Sequence, residues 1–426
     1  MIKRQRYLDK ILKLKGNGLV KVITGVRRCG KSYFLFNIFK DYLLSSGVQA
    51  DQIIEVHLDE DDYEALKKPR ALSKYVKERL LSDGRECFVL IDEIQECKSE
   101  TPGDVTFYDV LSSLMKKADV YVTGSNSEML SDDIATNFRD RGCVMRMWPL
   151  SFEEVYGMGG REKAVVWEAY LVWGGMPLAV LAKDDDFRID YLKNLFERVY
   201  FADIVERHNL RNDVALGAVC DVLASSVGGF TNAKRISDTL GTVAKVPTSP
   251  TTVAGYLGHF EKSFLFERAA RWDVKGRKYL EGNAKFYCVD LGLRNARLNF
   301  RQVERTHLME NAIYCELLRR GYAVDVGVVS AVEKKDGKSV RVDYEVDFVV
   351  NRGSKRVYIQ SALDITDEEK RKTEKRSLKR TRDFFRKIIV VGGNARATTD
   401  EDGVVTVGVI PFMLEPGIVE GEEGKV

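Results

Sequence analysis

Leu19-Val20-Lys21-Val22-Ile23-Thr24-Gly25-Val26-Arg27-Arg28-Cys29-Gly30-Lys31-Ser32 is the stretch on which the reading of this chain turns. Its first six residues are β-rich, and the next eight match GxxxxGK[ST]. From Ser32 to Leu44, apolar residues recur at helical spacing (Phe34, Leu35, Ile38, Phe39, Tyr42, Leu43). A strand before the glycine loop and a helix after it are the context that gives this motif its meaning. Gly25 and Gly30 let the loop curl so that backbone N–H groups face inward, and the helix N-terminus adds a dipole favourable to phosphate. Lys31, a solvent-facing charge on the loop, is set against the β- and γ-phosphates, and the Ser32 hydroxyl ligates magnesium. The motif predicts an ATP site built from Gly25, Arg28, Cys29, Gly30, Lys31, Ser32 and Tyr33.

A second apolar run, Cys87-Phe88-Val89-Leu90-Ile91, ends in Asp92-Glu93. Carboxylates at the C-terminal end of a parallel strand stand at the rim where phosphate and magnesium lie. Asp92 is assigned to the magnesium and its water, and Glu93 to polarising the attacking water. Val120-Tyr121-Val122-Thr123 is another strand, followed by Gly124-Ser125-Asn126. Asn126 there either hydrogen-bonds the γ-phosphate or attacking water or, like Ser125, caps a helix. Arg139 and Arg141, in Phe138-Arg139-Asp140-Arg141-Gly142, are either transition-state charge stabilisers or ordinary surface arginines. Gln52–Leu58 reads as a strand, and Ala71–Leu81 and Tyr108–Met115 read as helices. Strands alternating with helices predict an α/β domain with a parallel sheet over residues 1–150, opened by a short amphipathic helix within residues 1–20.

The chain has 426 residues, 44% apolar and 31% charged, so it is globular and long enough for two or three domains of roughly 150 residues each. A net charge of +3, from 67 basic and 64 acidic residues, excludes a globally basic nucleic-acid coat but not a local patch. No apolar run approaches the roughly 20 residues of a membrane span. Nothing apolar follows the basic residues 1–6 as it would in a secretion signal. A cytoplasmic location is the expectation. The seven cysteines and four histidines are scattered, without a CxxC pair. That spacing offers no zinc site and favours buried, reduced thiols.

At Pro149-Leu150-Ser151-Phe152-Glu153-Glu154 the strand signals fade. Residues 151–225 read as mainly helical, Phe187–Val205 being the clearest periodic stretch. Residues 231–275 carry helix, a turn at Pro247-Thr248-Ser249-Pro250, and helix, then β-rich Lys278–Leu280 and Phe286–Val289. That is the outline of a winged helix, so residues 151–305 are assigned to a helical and winged-helix region. Residues 306–426 read as a third, α/β domain. It has a helix at Glu310–Arg319, strands at Ala323–Val329, Glu345–Val350 and Val357–Gln360, a charged helix at Asp367–Arg386, a strand at Lys387–Val391 and an acidic tail.

The spellings VITGVRRCGKS, LIDEIQ, VYVTGSNSEML, FRDRG and PLSFEE resemble the AAA-type P-loop ATPases of bacteria and archaea that carry a C-terminal domain of unknown function. The likeness continues through YLVWGGMP, LFERVYFADIVERHNLRN, KRISDTL, KFYCVDLGLRNARLNF, EVDFVV and YIQSALDI, nearly the whole chain. It implies ATP and magnesium binding on a P-loop core, a winged-helix middle region, and a C-terminal fold related to restriction-endonuclease-like nucleases. Asp140 departs from the glycine that the family often places between its two arginines, which bears on the loop around Arg141.

The nuclease likeness rests on Glu310 or Glu316 on a helix, Asp347 on a strand and Gln360 on the next strand. Such a centre needs a lysine two residues beyond its third ligand, and Ala362 stands there, so the domain is expected to be catalytically degenerate. Glu345 and Asp347, alternating with Val346 and Phe348, also fit any half-buried strand. Lys370–Lys387 packs ten basic residues into 18 positions. It is either a DNA-binding face or a solvated helix balanced by Glu368, Glu369, Glu374 and Asp383. The expected function is a magnesium-dependent ATPase that acts on a macromolecule. DNA, held through the winged-helix region and the basic stretch, is the first candidate, and the expected assembly is a homo-oligomer in which Arg141 reaches a neighbour's nucleotide. The alternatives are a slow nucleotide-dependent switch of the defence or toxin–antitoxin kind and, behind it, an ATPase-coupled nuclease.

Overall fold

The structure, a computed structural model, describes residues 2–99, 101, 103–125, 142–208, 210, 213–335 and 338–421. It divides into two compact units, one running to Pro149 and including Lys262–Phe264, the other formed by Leu150–Glu261 and the chain from Leu265 onward.

In the first unit the β-branched and aromatic runs make five strands, β1 (Val20–Thr24), β2 (Ile53–His57), β3 (Phe88–Asp92), β4 (Asp119–Gly124) and β5 (Gly142–Arg146). They pair in parallel in the order β2-β3-β4-β1-β5. A parallel sheet is covered on both faces, and accordingly every residue of β1, β3 and β4 is buried. Because β4 lies between β1 and β3, the C-terminal ends of all three fan around one crevice, where open α/β sheets place their ligands. At the opposite, N-terminal ends of these strands Lys21 of β1 is ion-paired with Asp119 of β4. The Tyr121 hydroxyl (2.6 Å) and the Gly16 N–H (2.9 Å) also donate to Asp119. A buried ion pair is tolerable only with its remaining lone pairs satisfied in this way. After the glycine loop a helix runs through residues 31–45, with Phe34–Phe39 in the wider π geometry. It buries Phe34, Leu35, Phe39 and Leu43. β5 was not read from the sequence; its Gly142-Cys143-Val144-Met145-Arg146 lacks the long apolar run of its neighbours.

The second unit opens with helices and continues, among the described residues, into a nine-stranded sheet. Its strands are β6 (Phe230–Thr231), β7 (Phe266–Asp273), β8 (Lys278–Cys288), β9 (Ala323–Lys335), β10 (Lys338–Arg352), β11 (Lys355–Ala362), β12 (Arg386–Val391), β13 (Thr398–Thr399) and β14 (Val404–Gly408). Their order is β13-β14-β12-β11-β10-β9-β7-β8-β6. The helices Ala233–Thr239 and Pro250–Lys262 precede the β7–β8 hairpin. That hairpin joins the C-terminal strands directly, Arg271–Asp273 pairing with Val326–Val328 of β9. The expected boundary at 305/306 therefore falls inside one continuous sheet. The acidic tail also needs correction: Val404, Val405 and Val407 form a buried strand, and Val409–Leu414 is a buried helix. The charged helix stops at Lys379 rather than Arg386, since the next turn carries Arg382 in a left-handed conformation (φ 58°).

Asp290 fixes one corner of this unit. Its carboxylate caps the helix Leu291–Arg297 by accepting from Leu293 N–H (3.0 Å), and it also accepts from Gly175 N–H (2.6 Å). Burial pushes its carboxyl up to about 6, against the pull of the N–H donors of Gly175, Leu293 and Gly292. Asp290→Ala is expected to cost about 2–4 kcal/mol in urea unfolding, a lost cap plus a buried N–H without a partner. The folded carboxyl titrates above its unfolded value, so the proton-linked part of its stability is full below about pH 4 and is lost as pH rises through about 6, while the N–H bonds of the cap remain. Asp290→Asn should flatten the stability–pH curve in that window, and an unchanged slope would refute the assignment.

Candidate functional site

The glycine loop leaves β1 at Thr24 and turns on three left-handed residues, Gly25 (φ 142°), Arg28 (φ 61°) and Gly30 (φ 99°). Gly25 is required sterically, because a Cβ there would stand 2.0 Å from the Met147 carbonyl oxygen. Met147 belongs to the run leaving β5, and its N–H donates to the Thr24 carbonyl (2.6 Å). Arg28 at a positive φ is uncommon for a non-glycine residue, and such turns are where backbone N–H groups gather into an anion-binding nest. Cys29 is buried, its Sγ 3.7 Å from the Met147 oxygen, so its thiol faces protein. Arg28 and Tyr33 are exposed. Lys31 is buried rather than solvent-facing, 4% exposed, and its ammonium donates to the carbonyls of Gly25 and Val26 (3.1 Å each).

The N-terminal segment braces this loop. The Arg4 guanidinium is buried and donates to the carbonyls of Cys29 (2.8 Å) and Trp148 (2.6 Å). It lies over the Tyr7 ring, and the Tyr7 hydroxyl accepts from Trp148 N–H (3.0 Å). Sequence reading missed Arg4, which stands in a basic stretch that looks like solvated surface.

β3 delivers Asp92 and Glu93 to the same edge. Asp92 accepts hydrogen bonds from the hydroxyls of Ser32 and Thr123. The structure thus joins the loop, β3 and β4 through one carboxylate. Burial, more than the nearby Glu93 and Asp59 carboxylates, pushes the Asp92 carboxyl above its ordinary range despite those hydroxyls. A carboxylate so placed gains most from a cation. Glu93 adopts a left-handed conformation (φ 45°, ψ 53°), and its N–H donates to Thr123 Oγ1 (2.9 Å). Its carboxylate accepts from Ser125 Oγ (3.1 Å) and from Gln95. Thr123, Ser125 and Gln95 are thus site residues that sequence reading did not assign. Their signal was a strand ending in three small residues and a polar residue two past the glutamate. Asn126, Arg139 and Arg141 lie outside the described residues.

These groups suit a magnesium–nucleotide. The loop turns on three positive-φ residues, a lysine rests on neutral carbonyls, and a hydroxyl–carboxylate pair lies beside them. Thr24 Oγ1, at the end of β1, is buried with no hydrogen-bond partner among the described residues.

In the second unit Glu310, Asp347 and Gln360 converge, whereas Glu316 turns away into ion pairs with Arg319 (2.6 Å) and Arg320 (2.7 Å). Lys285 of β8, well outside the segment read as nuclease-like, enters the same cluster. Its signal was a lone charge inside the apolar run Ala284–Val289. In the basic stretch, Lys372, Lys375, Lys379, Arg380 and Lys387 are ion-paired with Glu368, Asp400, Asp402, Glu333 and Asp383. The Lys372–Glu368 and Lys379–Asp402 pairs are exposed, worth at most about 1 kcal/mol each and open to exchange for phosphate, whereas the other three are partly buried. No described helix is long and apolar enough to cross a membrane.

Residues 17–156 match the model of the AAA domain, and residues 166–304 match a domain of unknown function (DUF8612). An uncharacterized protein of Haemophilus influenzae is 31% identical over 422 residues, 97% of this chain and 99% of that protein. An uncharacterized protein of Methanocaldococcus jannaschii is 26% identical over 86% of this chain and 79% of its own. Among solved structures, the Aeropyrum pernix ORC2 protein in ADPNP–ADP complexes gives a TM-score of 0.33 at 12% identity, covering 69% of this chain and 91% of that one. AMPPCP-bound DnaA from Aquifex aeolicus gives 0.27 at 14% identity, covering 60% and 85%.

Proposed function

We propose that this chain, which belongs to the AAA-type P-loop ATPases, binds ATP with magnesium at residues 25–32 and hydrolyses it to drive action on a macromolecular partner, DNA being the first choice. The observation that carries this reading is the Ser32–Asp92–Thr123 junction with Glu93 beside it. Ser32 and Asp92 would hold the magnesium, whose charge neutralises the phosphates when it is bound. Lys31 exchanges two neutral carbonyls for phosphate oxygens. Gly25, Arg28 and Gly30 shape the N–H nest, the Cys29 contribution is its backbone, and Tyr33 stands exposed one residue past Ser32. Glu93 takes a proton from the attacking water as general base. Thr123 and Ser125 fix the backbone and carboxylate of that glutamate. Asn126 would orient the γ-phosphate or water, and Arg141 would stabilise charge in a neighbour's site, which makes a homo-oligomer the working assembly.

One observation favours a slower, switch-like cycle. The Glu93 carboxylate already accepts from Ser125 and Gln95 and must shed a donor before it can act as a base. A partner that releases it would raise turnover. For DNA, the supporting features are the two helices with their hairpin at residues 233–288 and the basic face at Lys370–Lys387, whose ion pairs at Lys372 and Lys379 are exposed to exchange. The test is ATPase rate with and without duplex DNA at two salt concentrations, with particle size measured on the same sample. The expected result is turnover that rises with salt-sensitive DNA binding and with assembly. Turnover indifferent to both would remove DNA and the shared site together.

A further inference from the structure

The resemblance of the C-terminal region to metal-dependent nucleases implies a divalent ion held by Glu310, Asp347 and the residue at 360. The geometry around those side chains disagrees. Lys285 Nζ lies 2.8 Å from Glu310 Oε1, 2.5 Å from Glu345 Oε1 and 3.8 Å from Asp347 Oδ1. β7 and β9 stand between β8 and β10 in the sheet order. A flat sheet would therefore hold Lys285 about 14 Å from the β10 carboxylates. The sheet has to curl to bring them together. Asn311, beside Glu310 on the helix Arg305–Arg319, fastens that helix to the same strand through the N–H (2.8 Å) and carbonyl (2.7 Å) of Cys288.

One oxygen on each would-be ligand is already engaged. Glu310 Oε1 accepts from Lys285 and from the Tyr287 hydroxyl (2.7 Å). Asp347 Oδ2 accepts from Ser361 N–H (2.7 Å). Gln360 Oε1 accepts from Asp347 N–H (3.3 Å) and lies 3.5 Å from the Ser377 hydroxyl. Among the described residues, no three His, Cys, Asp or Glu side chains are grouped so as to hold a metal ion. We propose that Lys285 takes the place of the divalent ion, so that Glu310, Glu345 and Asp347 form a lysine-closed, metal-free centre that does not cleave phosphodiesters.

The electrostatics follow from this placement. A hard divalent ion needs several ionised oxygens at about 2.0–2.6 Å. Here it would meet the Lys285 ammonium, 2.8 Å from Glu310 and 2.5 Å from Glu345. The degenerate reading drawn from Ala362 reaches the same outcome for a different reason: the cation is not missing but sits on the acids.

The experiment counts Mn2+ ions bound per chain by electron paramagnetic resonance, on the full-length protein without nucleotide. In the wild type, Asp347→Asn is expected to leave the count unchanged. Lys285→Met is expected to add one ion per chain, and Asp347→Asn in that background should remove it. An ion on the wild type that Asp347→Asn removes would overturn the proposal. So would a Lys285→Met protein with native circular dichroism and no added ion. Should Lys285→Met fail to fold, the wild-type and Asp347→Asn counts still decide. Supercoiled plasmid supplies a second readout: nicking by the wild type in Mn2+ that Asp347→Ala abolishes would also overturn it.

Discussion

Replacing Lys31 by alanine should lower ATP affinity about 100-fold, equivalent to roughly 3 kcal/mol, the scale of losing charge-assisted bonds to phosphate. The side chain is almost fully buried against the Gly25 and Val26 carbonyls, so alanine removes two internal bonds as well as the phosphate contact. Lys31→Met separates the two losses. It keeps the stem packed in the loop and removes only the charge. Calorimetric titration with ATP and magnesium should find both variants weak and both folded. Wild-type affinity in Lys31→Met would show that the phosphates sit elsewhere.

Glu93→Gln should do the opposite, holding ATP while turnover falls about 100- to 10,000-fold. The amide oxygen still accepts from Ser125, and the left-handed backbone with its bond to Thr123 is untouched, so the site keeps its shape. Only the basicity is gone. ATP recovered intact on the protein after filtration, with no phosphate released, is the expected signature. Turnover at the wild-type rate would mean that another group activates the water.

The core of the first unit was legible because its signals are local. A glycine loop between a strand and a helix, and an apolar run ending in Asp92-Glu93, each declare themselves within a dozen residues. What stayed hidden is long-range. Nothing near Arg4 says that its guanidinium reaches residues 29 and 148. Nothing near Lys285 says that a curled sheet turns it toward residues 345 and 347. Glu310 and Glu316 look equivalent on one helix until Arg319 and Arg320 claim the second. β7 was missed because Glu267, Arg268 and Arg271 broke its apolar pattern. β14 was missed because acidic and glycine-rich flanks disguised its valines.

Arg4 also bears on where the nucleotide-binding module begins. The similarity to the AAA domain starts at residue 17, and a fragment cut there would keep every letter of the motif. It would lose the guanidinium that ties the Cys29 carbonyl to the Trp148 carbonyl, and the Tyr7 hydroxyl that seats Trp148. The loop would then be free to sample shapes in which its N–H groups no longer converge. In stiffness, though not in spelling, the proposed phosphate site starts at residue 4.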